Sequence, residues 1–116
     1  MRRITPFVSV AGAPGDGEKA LSASLVKRLA AAGIKASTEF AQGAYSIEGI
    51  VKVGDAARGR HSVRIDWTVF SPEGTTLGGV VQTRSVRKGS LDKRWGPAAD
   101  AAARAAANEI IPLLRP

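Results

Sequence analysis

Apolar residues recur along this chain with two different periods. Leu21, Leu25 and Leu29 are spaced by four, and Ala32 continues the row, which predicts a helix with one apolar stripe. Tyr45, Ile47, Gly49, Val51 and Val53 alternate with mainly polar neighbours, as do Val63, Ile65, Trp67 and Val69. A period of two puts each set on one face of a strand, so both segments read as strands with a single buried face.

Punctuation residues set the limits of these elements and add others. Ile4 to Ala11 reads as a first strand, followed by the loop Gly12-Ala-Pro-Gly15-Asp-Gly17. Asp16 suits the N-cap of the leucine helix, Glu18 complements its dipole, and Gly33 suits a left-handed stop. Ile34 to Phe40 reads as a short strand interrupted by Gln42-Gly43. Gly54 to Arg60 and Ser71-Pro-Glu-Gly74 read as turns, so residues 44–88, closed by a strand from Thr76 to Val86, form a three-stranded meander. Gly96-Pro97 opens a last helix through the alanine-rich run to Leu114, with Ala99, Ala102, Ala106, Ile110 and Leu113 on one stripe and Pro112 disturbing the final turn.

The implied fold is a single α+β domain over residues 1–116, in the order β-α-β-β-β-β-α. It has a mostly antiparallel sheet with two helices packed on one face. Ser46, Glu48, Lys52, Ser62, Arg64, Asp66, Gln82 and Arg84 are then expected on the other face. Pairing Val53 with Val63 puts Gly49 opposite Trp67, and pairing Val69 with Leu77 puts Gly79 on its other side. Trp67 would gain room for its indole from glycine on both neighbours.

Composition narrows the chemistry. The 116 residues carry 17 Lys and Arg against 10 Asp and Glu, a net charge of +7, with one His and no Cys. Disulfides, thiolate metal sites and cysteine nucleophiles are excluded, and one histidine cannot make a histidine metal cluster. No apolar run reaches the roughly 18 residues of a membrane span. Met1-Arg-Arg followed by Ile4 to Ala11 resembles a signal peptide only faintly, because the apolar stretch is short and broken by Thr5, Pro6 and Ser9.

No catalytic arrangement emerges. The glycines from Gly12 to Gly17 suggest a phosphate loop, but Glu18 stands where its lysine belongs and no Ser or Thr follows Lys19. His61 and Ser62 are adjacent on a strand and so face opposite ways, which rules out a triad with Asp66. Glu48 and Asp66, with Lys52 and Arg64 near them, read as cross-strand ion pairs.

The basic residues fall into two groups, Arg58, Arg60, His61 and Arg64 in one, and Arg84, Arg87, Lys88, Lys93 and Arg94 in the other, with Trp95 beside the second. Arg58, Arg60, Arg64, Arg84, Arg87 and Lys88 are the candidate contacts for an anionic partner, followed by Arg94 and Trp95. Clustered cations supply phosphate affinity, but the aromatic content of 5% provides no stacking platform of the RNA-binding kind. A cationic face towards anionic lipid, glycan or a protein partner suits the same charge equally well.

Two resemblances extend this reading. The element order, with Ala44-Tyr-Ser-Ile-Glu-Gly49-Ile-Val and Phe70-Ser-Pro-Glu-Gly74, resembles the small α/β domain of the curli-secretion and penicillin-binding-protein-activator lipoproteins and the amino-terminal domain of the Tol propeller protein. Gly12 to Gly17, Trp67, Gly74, Leu77-Gly78, Gln82, Gly89-Ser-Leu-Asp92 and Trp95-Gly96 resemble a group of uncharacterised alphaproteobacterial lipoproteins, from which Arg84, Arg87 and Lys93 depart. The resemblance implies a non-enzymatic periplasmic module without a cofactor, excised from a longer membrane-anchored lipoprotein, that binds an envelope protein or an anionic polymer. The alternative expectation is a basic cytoplasmic nucleic-acid-binding domain, with Met1 as its native start.

Overall fold

Residues 5–39, 43–56, 58–87 and 94–114 are described by the computed structural model; Ile4, Phe40, Gln42, Lys88, residues 89–92 and Lys93 lie outside the described residues. The elements follow in the order β1 (Phe7–Ala11), α1 (Gly17–Ala31), β2 (Ser46–Ala56), β3 (Arg60–Phe70), β4 (Thr76–Arg87) and α2 (Pro97–Leu114). One four-stranded sheet runs β1-β2-β3-β4. β1 and β2 pair in parallel, as a helical crossover through α1 requires, and the other pairs are antiparallel.

The α+β class and the two-helix count agree with the sequence pattern, with one strand fewer than expected. Between Ile34 and Ser37 only Ser37 pairs, through a single parallel bridge to Phe7. Val8 N–H donates to the Ser37 carbonyl at 2.8 Å, and Ser37 N–H donates to the Pro6 carbonyl at 3.0 Å. Beyond it, Glu39 N–H turns back to Ser37 Oγ at 3.0 Å, so the chain leaves the sheet after one bridge.

Both helices lie on one sheet face. Val8, Ile47, Val51, Ile65, Trp67 and Val69 project there from the strands and are buried. Leu21, Leu25 and Leu29 of α1 meet them with no exposed surface. Gly33 takes φ +86°, and Ile34 N–H reaches back to the Leu29 carbonyl at 2.8 Å, which closes α1 as a Schellman turn. From α2 the buried set is Ala99, Ala103, Ala106, Ala107, Ile110 and Leu114, a slightly rotated version of the expected stripe. Pro112 sits within α2, yet the helix continues to Leu114, whose buried side chain anchors the last turn.

The helices are also tied by charge. The Arg28 guanidinium donates to both carboxylate oxygens of Asp100, at 3.2 and 2.6 Å. These bonds, opposed by partial desolvation and aided by the charges of Arg28, Lys27 and Arg104, hold the Asp100 carboxyl below its ordinary range.

The first hairpin has the expected register, with Val53 opposite Val63 and Gly49 opposite Trp67. The second does not. Phe70 pairs with Thr76, but Val69 pairs with Gly78, so Leu77 is an extra residue and the register shifts by one. Trp67 therefore faces Val80 in place of Gly79, and Gln82 and Arg84 turn to the helix-covered side. This reverses their expected exposure on the open face.

Room for the buried indole comes from Gly49. A Cβ there would meet Trp67 Cζ3 at 2.6 Å and Cε3 at 2.8 Å. Trp67 is only 1% exposed and has little freedom to move away. Gly49→Ala should destabilise the fold by about 1–3 kcal/mol, the usual cost of overpacking. Urea unfolding checks this through a lower midpoint at unchanged slope.

Candidate binding surface

The alternation of β2, β3 and β4 separates the basic residues by face. Lys52, Arg60, Arg64 and Arg87 project from the uncovered side, near the β2–β3 turn that carries Arg58. Lys52 lies directly opposite Arg64, and Arg60 directly opposite Arg87. Like charges facing each other across strands oppose folding. Two side chains bend away to relieve this. Arg60 Nε donates to Ser85 Oγ at 2.7 Å and its Nη2 to the Ser85 carbonyl at 2.9 Å. Arg64 Nε donates to Asp66 Oδ1 at 3.0 Å on its own strand. The carboxylate that the sequence pattern assigns to a cross-strand pair thus serves a residue two positions away. Arg58 adopts φ +64° beside Gly59 at +70°, and this left-handed turn closes the hairpin.

The remaining candidates are dispersed. Arg84 sits opposite Val63 on the helix side. Arg94 is exposed just before α2, and Lys88 lies outside the described residues. Trp95, expected as a surface contact, is 3% exposed and belongs to the core. Its Nε1–H donates to the Pro14 carbonyl at 2.9 Å, and its backbone N–H to Asp16 Oδ1 at 2.8 Å. The ring occupies the space left by the missing side chain of Gly17, where a Cβ would collide with it. Asp16 therefore joins the two helix starts and makes no side-chain cap of its own. Glu18 accepts from Gly12 N–H at 3.0 Å.

His61 and Ser62 project to opposite faces, as expected of adjacent strand residues. His61 Nδ1 lies 3.3 Å from the Gly54 carbonyl.

A second feature escaped the sequence reading. A groove of about 410 Å³ runs between α2 and the β3–β4 side of the sheet. Val63 and Ile65 line it from β3, while Ala98, Ala101, Ala102 and Ala105 line it from α2. Gln82 crosses the gap, accepting from Trp67 Nε1–H at 2.7 Å and donating to the Ala102 carbonyl at 3.0 Å. Arg84 and Val86 continue the β4 wall. The groove was hidden because it depends on the shifted register of β4.

No known protein family matches the chain, and no curated protein matches it either. Several solved structures share its fold. An uncharacterised protein matches with a TM-score of 0.59 at 13% identity, over 92% of this chain and 90% of the other. The PelC dodecamer from Paraburkholderia phytofirmans matches with a TM-score of 0.57 at 16% identity, over 95% and 86%. Lipoprotein GNA1162 from Neisseria meningitidis matches with a TM-score of 0.50 at 13% identity, over 93% and 94%. At these identities the likeness is one of fold.

Two substitutions test the geometry. Gln82→Leu leaves the buried Trp67 N–H without an acceptor and should destabilise by about 1–3 kcal/mol in urea. Arg87→Glu replaces a repulsive partner of Arg60 with an attractive one and should stabilise by about 0.2–1 kcal/mol, less at high salt. A loss of stability in the second variant would contradict the assigned repulsion.

Proposed function

We propose that this chain is a non-enzymatic domain of the lipoprotein type from a bacterial cell envelope, and that it binds a protein or an anionic surface polymer. The carrying observation is the pairing of like charges on the uncovered face. Lys52 faces Arg64 and Arg60 faces Arg87 there, and of these four cations Arg64 alone has a carboxylate partner among the described residues, Asp66 on its own strand. A surface that opposes folding in this way is accounted for by a partner that neutralises it. The shared fold with a neisserial lipoprotein over nearly the whole of both chains supports the envelope setting. On this reading Arg58, Arg60, Arg64 and Arg87 make the anionic contact, with Lys52 added from the structure. The full-length protein is anchored to the membrane and presents this domain to the periplasm.

The same four cations favour a second reading, a basic cytoplasmic domain that binds nucleic acid. Two measurements separate them. The product of the complete gene, tagged at its carboxyl terminus, should fractionate with membranes and be accessible from the periplasm; recovery in the cytoplasm would overturn the envelope reading. A labelled oligonucleotide should show no specific complex. A phosphate-driven complex would instead be tight at about 50 mM salt and lose at least tenfold in affinity by about 200 mM.

A further inference from the structure

Among the described residues β4, twelve residues long, is an edge strand that pairs with β3 alone. The opposite edge is different, because Ser37 bonds to the chain beside β1 there. Among the described residues no strand covers the outer side of β4. A long exposed edge presents a row of backbone donors and acceptors to any extended chain, and proteins commonly block such edges.

The alanine-lined groove opens onto this edge. Val81 and Thr83 border it, although strand alternation directs their side chains to the other sheet face, so they meet it along the strand's outer side. The α2 wall opposite is low, because Ala101 and Ala105 are exposed methyl groups with no bulk above them. An added strand would place every second side chain on the groove side of the sheet, beside Gln82, Arg84 and Val86 of β4. Among the described residues that line the groove, Arg84 is the one charged side chain. Arg84 faces the groove and Arg87 the open side, on a chain of net charge +7.

We propose that β4 and this groove receive an extended, acidic segment of a partner protein, which pairs with β4 as an additional strand. Its alternate apolar side chains enter the groove, and carboxylates flanking them meet Arg84 and Arg87. The inference rests on the binding-module reading above and narrows its partner to a polypeptide. A second copy of this chain fits less well, since two molecules of charge +7 would meet along an edge that carries arginine on both faces.

Random peptides of about eight residues, displayed on phage, can be selected on the intact chain. Enrichment of sequences that alternate apolar and acidic residues is expected. A synthetic peptide of the enriched sequence should bind with a change in tryptophan fluorescence, because Trp95 borders the groove. Ala105→Phe fills the groove from an exposed position, and Arg84→Glu reverses its charge. Each should weaken binding by about tenfold or more while the melting temperature is maintained. Methylation of alternate peptide amides should abolish binding, since strand addition depends on main-chain hydrogen bonds. The proposal is overturned by failure to enrich any peptide, or by binding that survives both Ala105→Phe and amide methylation. It is equally overturned if polygalacturonate, and no peptide, binds with sensitivity to these variants; that result would leave the envelope reading intact. Cytoplasmic recovery of the full-length protein would remove the envelope reading and leave the peptide result standing.

Discussion

The buried indole N–H of Trp67 has to find an acceptor, and the arrangement of the sheet against α2 follows from how it does so. An unpaired N–H at this depth would cost about 1–3 kcal/mol. Gln82 satisfies it and passes its own donor to the Ala102 carbonyl, so one amide joins β3, β4 and α2. A glutamine reaching across to a helix carbonyl holds that helix at a distance which alanine methyls cannot span. The groove therefore accompanies the bond. Further along α2 the spacing closes, where Leu113 lies against Gly78 and a Cβ on that glycine would come within 2.8 Å of it.

The second tryptophan secures the other end of α2. Trp95 rests against Gly17 at the start of α1, and Asp16 receives its backbone N–H. Each tryptophan thus sits over a glycine far away in sequence; the Trp67 indole bonds to Gln82 on a third element, while the Trp95 indole bonds to the Pro14 carbonyl beside its glycine. The alanine-rich helix between these anchors buries little area per residue. Large rings at one end and Ile110 with Leu114 at the other supply the packing that its methyl groups lack.

Elements with a clean period were legible from the sequence, and so was the register of the first hairpin: the two alternating faces restrict the pairing to every second register, and the short turn from Gly54 to Arg60 sets Val53 opposite Val63. The second hairpin lacked that information. Leu77, Val80 and Val81 form an apolar stretch without alternation, so either register buries a valine, and the bulge that decides between them leaves no periodic trace. Trp95 was misplaced for a different reason. Its neighbour Arg94 is exposed, and the contact that buries it lies with Gly17, on a different helix. Arg64 was placed correctly on the open face because alternation along β3 has no interruption, whereas Arg60, read as the end of the turn, opens the strand.

One inserted residue decides more than a turn geometry. Had β4 continued from Thr76 without the bulge, Arg84 would stand opposite Ser62, beside Arg64 on the open face, and Gln82 would stand opposite Arg64. Trp67 would then lack its acceptor, the groove would lack its guanidinium, and the open face would exchange Arg87 for Arg84. With Leu77 bulged, each basic residue of β4 falls to a different side: Arg84 to the alanine-lined groove and Arg87 to the cationic face opposite Arg60. The tryptophan's need for a hydrogen-bond acceptor and the separation of positive charge between two surfaces are therefore met by the same register shift. The charge of either face cannot be altered through Leu77 without also unsettling the core.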